Sequence, residues 1–184
     1  MTGIDIVSEQ EAIIDHESVG VIITCPKLGA FMFQLNGDEH PDPRCRGKYQ
    51  LWGGRMEPQD RGNPFEALRR ELYEEWRDHR VADAVLTSIG PRQRPKIFTP
   101  WSSGGTHQPY RYRLYTFLAL ANQDRYMDWF TSLEAAGYNE GRLTVMDRKC
   151  VELHIDDVEK SKLFLGSQNE VLREYFTLDE ALRY

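Results

Sequence analysis

The sequence predicts an α+β domain with helices layered on a sheet, and three observations carry that expectation. Ser18 to Thr24 (SVGVIIT) is β-branched and mostly apolar, as a buried strand should be. Phe65 to Trp76 (FEALRRELYEEW) repeats its apolar residues at helical spacing. The remaining segments mix strand and helix patterns without a strict strand–helix–strand alternation, which argues for an α+β or layered α/β/α domain.

Taken in order, Pro26 closes the first strand, and Ala30 to Leu35 (AFMFQL) reads as a second. Asn36-Gly37 is a turn signal, and the polar stretch DEHPDPRCRGK after it reads as a surface loop. Tyr49 to Trp52 returns as a short strand and runs into Gly53-Gly54. Asn63 is a good helix N-cap, Pro64 suits the first helical position, and Glu66 sits where a capping-box acid belongs. Val85 to Ile89 and Lys96 to Phe98 are expected as strands, Trp101 to Pro109 as a loop, and Tyr110 to Leu120 as a long strand entering the core. Tyr126 to Ala136, stopped by Gly137, and Ser167 to Phe176, opened by a Ser-x-x-Glu box, are expected as helices.

The chain has 184 residues with no internal repeat or low-complexity linker, so a single domain over 1–184 is expected. Its composition, 40% hydrophobic and 28% charged, with a mean hydropathy of −0.60, is that of a globular protein. A net charge of −6 disfavours tracking a nucleic-acid duplex, which needs many Lys and Arg contacts to phosphate. A small phosphorylated ligand stays open, because a local site or bound metal can reverse the sign. Cys25, Cys45 and Cys150 form neither a zinc spacing nor a disulfide framework. The five histidines show no ligand spacing either. Met1 to Asp15 lacks the apolar run of a signal peptide, and no stretch is long enough to span a membrane. A cytoplasmic location is the expectation that follows.

The helix from Phe65 carries the chemistry. At 100° per residue, Phe65, Leu68, Leu72 and Trp76 fall within a wedge of roughly 80°, and Glu71, Glu74 and Glu75 occupy an adjoining arc of roughly 100°. Carboxylates at i,i+3 and i,i+4 destabilise a helix, and Arg70 at i,i+4 from Glu74 relieves only part of this. A hard, oxygen-preferring cation such as Mg²⁺ or Mn²⁺ would offset the repulsion. Periodicity alone also permits a solvated acidic face bridged to Arg69 and Arg70, and by itself does not decide.

The stretch GGRMEPQDRGNPFEALRRELYEEW, Gly53 to Trp76, resembles the signature of the Nudix hydrolase family. Arg70-Glu71-Leu72-Tyr73-Glu74-Glu75 matches the core of that signature, and Gly54 is followed after five residues by Asp60, in place of the family's Glu. Two departures stand out. Nine residues separate Asp60 from Arg70 where the family has seven, as if Arg61-Gly62 were inserted, and the terminal glycine is missing from Trp76-Arg77-Asp78. The resemblance implies a Nudix-type α/β/α sandwich with a mixed β-sheet, acting on a small-molecule nucleotide.

It further implies that Glu71, Glu74 and Glu75 hold Mg²⁺ or Mn²⁺, with Gly54 offering a carbonyl, Arg70 ordering the carboxylates and Glu57 assisting from outside. The reaction implied is hydrolysis of P–O–P in an ADP-ribose-like compound, nucleotide sugar, dinucleotide or (d)NTP, with homodimers common in the family. Its alternative is a catalytically silent nucleotide-binding or protein-interaction module. Pro95 lies where ADP-ribose-hydrolysing relatives often carry a proline. A further acid from a later loop is sought among Glu134, Glu140, Asp147 and Glu152. Arg92, Arg94, Lys96, Arg111 and Arg113 are either phosphate- or ribose-binding groups or exposed strand charges. The aromatics Phe31, Phe33, Trp52, Trp101 and Tyr110 are either base-stacking or packing residues.

Overall fold

In the computed structural model, the residues described are 14–38, 43–90, 92–102, 110–136, 148–154, 168 and 171–173. A long strand β1 (Ile14–Cys25) runs parallel to β6 (Tyr110–Leu120), with Val19 opposite Tyr115 and Val21 opposite Phe117. β1 is buried on both faces from Val19 to Cys25, and β6 is mostly buried from Leu114 to Ala119, as the centre of a covered sheet requires; their first halves are polar. β2 (Ala30–Asn36) turns back antiparallel to β1 through Ile23↔Met32 and Cys25↔Ala30. β4 (Lys96–Phe98) and β5 (Trp101–Ser102) both pair antiparallel with β6. β7 (Arg148–His154) pairs antiparallel with β2 along its whole length. With β3 (Tyr49–Gln50) these make a mixed seven-stranded sheet.

Near its middle the sheet forks. β1 and β2 part after Ile23 and Met32, and residues 49–55 enter the gap. Tyr49 and Gln50 pair with β2, whereas Trp52 and Arg55 bridge to Val21 and Ser18 of β1. This places Gly53-Gly54 against the buried middle of β1.

Helices cover both faces. On one side α1 (Pro64–Glu75), α2 (His79–Ile89) and α3 (Gln123–Ala136) bury Leu68, Leu72, Val85, Leu86 and Leu133 with Val21, Ile23 and Phe117 of the sheet. On the other side Val171 and Leu172, which are helical, pack on Ile22, Phe33, Leu51 and Leu114. Phe65 meets Phe117 edge-on at 5.9 Å, and Trp76 meets Trp52 edge-on at 5.2 Å, so an aromatic pair anchors each end of α1. The result is the α+β sandwich with a mixed sheet expected from the sequence. No helix among the described residues is long and apolar enough to cross a membrane.

Several local expectations need correction. Val85 to Ile89 is not a strand but the end of α2, capped by Asp78 accepting from Arg80 N–H and stopped at Gly90. Its apolar residues Val81, Ala82, Val85, Leu86 and Ile89 follow helical spacing, and they cover the sheet as one face. Trp101–Ser102 forms a short edge strand within the segment read as a loop. The strand expected over Tyr49 to Trp52 is reduced to Tyr49–Gln50, because the fork intervenes. α3 begins at Gln123, three residues before its expected start. β7 had no counterpart in the sequence reading. Gly137 lies outside the described residues; of Ser167 to Phe176, Gln168 and Val171–Arg173 are described and helical.

Candidate active site

The site is built from the loop 53–63 and the outer flank of α1. Asn63 caps the helix by accepting from Phe65 N–H at 3.0 Å, with Pro64 next, as the sequence predicts. Glu66 does not complete a capping box; its carboxylate lies 3.6 Å from Arg69. Ahead of the helix, Pro58–Asp60 makes one 3-10 turn in which Asp60 Oδ2 accepts from Glu57 N–H at 2.7 Å. Arg61 takes a left-handed conformation (φ 51°), unusual for a side chain with a Cβ. The connection from Asp60 to the helix is thereby folded into a tight turn. Asn63 N–H donates back to Asp60 C=O at 2.9 Å, and the helix start is kept in place.

At the far end the missing glycine has a simple explanation. α1 ends at Glu75, and Trp76 leaves it in extended conformation (φ −100°, ψ 129°) with its ring buried. Asp78 then caps α2 directly. No residue between the helices takes a positive φ, so no glycine is required there.

Arg70 is the hub. Its Nε donates to Asp60 Oδ1 at 3.0 Å and one terminal nitrogen to Asp60 Oδ2 at 3.1 Å, a bidentate pair. The same nitrogen reaches the carbonyl of Arg55 at 2.8 Å. The other terminal nitrogen lies 2.8 Å from Glu71 and 3.1 Å from Glu74. The side chains of Asp60 and Arg70 are only 3% and 14% exposed, so this is a largely buried ion network. Hydrogen bonding to Arg70 holds the Asp60 carboxyl below its ordinary range, and hydrogen bonding to Asp60 chiefly raises the Arg70 guanidinium.

Glu71 is seated on Gly54. A Cβ at residue 54 would lie 2.4 Å from Glu71 Oε2, so only glycine lets the carboxylate approach. Gly53 is equally constrained: its φ is +132°, and a Cβ there would stand 2.3 Å from the carbonyl oxygen of Val19. The Gly54 carbonyl accepts from Val19 N–H at 2.8 Å, so it also belongs to the sheet. Burial pushes the Glu71 carboxyl up; Arg70 opposes this, and the charges of Glu74 and Glu57 add to it. Glu74 is half exposed and Glu75 half buried.

The donor set suits a hard divalent cation in its chemistry. Three carboxylates lie within about one and a half helical turns, and Glu71 among them is largely buried with Arg70 as its cation neighbour. Among the described residues, however, no three acidic, His or Cys side chains already converge as a metal cage. Arg70 stands between Glu71 and Glu74 instead.

The other expected site residues are more dispersed. Arg92 and Arg94 are exposed in the connection from α2 to β4. Arg111 is half buried on β6, opposite Ile14. Arg113 donates to Glu17 at 2.7 Å, and Tyr115 O–H donates to the same oxygen at 2.9 Å, beside the backbone bond from Met56 N–H to Glu17 C=O. Glu134 lies on α3 and Glu152 on β7, both exposed, while Glu140 and Asp147 lie outside the described residues. Trp52, Phe31 and Phe33 are core residues. The sequence reading missed Glu17 as a partner of the arginine strand; its position on β1, in register with Arg113, is a tertiary fact.

This sandwich, with helices covering both faces of a mixed sheet, has the fold of the Nudix hydrolases. The likeness is to a MutT protein from Methanosarcina mazei, at 13% identity over 89% of this chain and 94% of that one, with a TM-score of 0.54. It extends to a bifunctional NMN adenylyltransferase/ADP-ribose pyrophosphatase from Francisella tularensis, solved with AMP and a manganese ion, at 16% identity and a TM-score of 0.57. That match takes in 92% of this chain and 42% of the bifunctional protein, so the chain spans less than half of its length. No family model matches the sequence, and no curated protein sequence does.

Proposed function

We propose that this protein hydrolyses a phosphoanhydride bond in a nucleoside diphosphate derivative with the help of Mg²⁺ or Mn²⁺. The observation that carries this reading is the Glu71 carboxylate seated on Gly54 and tied through Arg70 to Glu74 and Asp60. A solvated acidic face needs neither a glycine seat nor a buried arginine hub. The cation, when bound, supplies charge neutralisation for the diphosphate and an acidified water.

Glu71, Glu74 and Glu75 are the residues that would hold it. Arg70 positions Glu71 and Glu74, and Asp60 fixes Arg70. The Gly54 carbonyl retains a second lone pair beyond its bond to Val19 and joins the candidate ligands. Glu57 adds negative charge beside Glu71. Arg92, Arg94 and Arg111 are assigned to phosphate or ribose oxygens of the substrate. In the reaction, a water oxygen bonds to one phosphorus and the bridging P–O bond breaks. The water's proton passes to a carboxylate, and two phosphate-bearing products leave.

The second reading, a binding module that retains the fold, is favoured by the carboxylates not yet converging among the described residues. One experiment separates the two. Product release is followed by mass spectrometry with Mg²⁺ or Mn²⁺ over ADP-ribose, nucleotide sugars, dinucleoside polyphosphates, NADH and (d)NTPs. Metal-dependent appearance of a nucleoside monophosphate or phosphate supports the hydrolase. Nucleotide binding without turnover, in folded protein, supports the module.

A further inference from the structure

At the fork in the sheet, Leu51 is the residue where the chain changes partners. Before it, Gln50 is paired with Gln34 of β2; after it, Trp52 C=O accepts from Val21 N–H at 2.9 Å and Gly54 C=O from Val19 N–H at 2.8 Å. Leu51 itself is in neither ladder, yet it is buried, and unsatisfied peptide groups there would be costly. Two glutamine side chains replace the missing strand. Gln34 Nε2 donates to Leu51 C=O at 3.0 Å, and Leu51 N–H donates to Gln168 Oε1 at 2.9 Å. Gln34 is completely buried on β2, and Gln168 comes from the helical residues that cover the opposite face of the sheet.

We propose that Gln34 and Gln168 form a clamp that positions the carboxylate site through the backbone of 51–54. The path is short and stiff. Leu51 is held by the clamp and packs against Gly20, where an added Cβ would lie 3.3 Å from Leu51 Cδ1. Gly53 follows with no slack against Val19 C=O, and Gly54 then carries the Glu71 carboxylate on its Cα. A shift at Leu51 is thus handed to Glu71 by covalent connection and close contact. Gln168 thereby joins a remote helical segment to the site. The proposal rests on the hydrolase reading above for its catalytic consequence.

The clamp has a chemical signature that simple packing lacks. Gln168 serves as an acceptor and Gln34 as a donor, so glutamate replaces the first and not the second. The test compares kcat and KM of Gln168→Leu, Gln168→Glu, Gln34→Met and Gln34→Glu, together with hydrogen exchange of the amides at 51–54. Gln168→Leu is expected to lose protection at Leu51 and to lower kcat about tenfold or more, with KM little changed, because small misplacements of reacting groups are costly. Gln168→Glu restores both, whereas Gln34→Glu is at least as damaging as Gln34→Met. Wild-type kcat and protection in Gln168→Leu, or a loss in Gln168→Glu equal to that in Gln168→Leu, overturns the clamp. If the wild type turns over nothing while the exchange pattern follows this order, the hydrolase reading fails and the clamp on 51–54 stands.

Discussion

One flank of α1 buries Leu68 and Leu72 against the sheet, with Trp76 just past its end, whereas the other gathers Glu71 and Glu74 around the Arg70–Asp60 pair. The first flank is held by area. Each leucine contributes about 1.5–3 kcal/mol on burial, and several neighbours share the load. The second is held by one guanidinium that serves three carboxylates and a carbonyl. Packing on one side therefore tolerates loss in increments, while the polar side depends on a single charge. The site is placed on the flank where geometry is most tightly specified and least redundant.

The largest effect is expected from Arg70→Ala. It leaves Asp60 buried without its partner and should cost about 3–5 kcal/mol in urea unfolding, the usual result of breaking a buried pair from one side. Leu72→Ala should cost about 2–5 kcal/mol through a cavity. Measured where the variant is folded, its kcat should stay near that of the wild type, since Leu72 lies on the packing flank. Arg70→Ala, which frees Glu71 and Glu74, should also lower kcat, and an equal fall in kcat for Leu72→Ala would erase the distinction between the flanks.

Gly54→Ala sharpens the comparison further. The added methyl displaces the Glu71 carboxylate, so turnover should drop about a hundredfold, although the strain costs only about 1–3 kcal/mol of stability.

The smallest effect is a pH dependence. Asp60 has a depressed pKa in the folded protein, so its contribution is fully present above the ordinary value of 3.8 and is lost as the pH falls through the folded value. Glu71 has the opposite sign. Its carboxyl is raised by burial, so its contribution is present below the ordinary 4.5 and is lost as the pH rises through the folded value. Thermal unfolding of Asp60→Asn should therefore lack part of the wild type's acid-side loss. Glu71→Gln should remove a decline in stability that sets in as the pH rises above the ordinary carboxylate value. Curves for both variants parallel to the wild type would contradict these assignments.

Much of this was legible in the sequence because it is local. Asn63, Pro64 and the apolar spacing of Phe65, Leu68, Leu72 and Trp76 specify α1 within a few residues of chain. Gly53-Gly54 and Arg70 to Glu75 mark the chemistry by residue type and order. α2 was misread because Val85 to Ile89 is a short apolar run whose period is ambiguous by itself. The Asp78 cap and the spacing from Val81 onward resolve it. β7 escaped because RKCVELH alternates too weakly to outweigh its charges. The Arg70–Asp60 bond spans only ten residues but needs the turn at 58–63 to be folded, whereas the Glu17–Arg113 pair and the Leu51–Gln168 bond join residues about a hundred positions apart. Such contacts exist only once the sheet has forked and the helix has docked.

The most direct test of the central claim is single-turnover hydrolysis by the wild type and by the Glu74→Gln/Glu75→Gln double variant, side by side. The substrate is the most active compound of the panel, and the runs are made with and without Mg²⁺ or Mn²⁺. The account predicts turnover that needs the metal and falls at least about a hundredfold in a variant that remains folded. Near-wild-type turnover in that variant, or turnover indifferent to metal removal, would contradict it.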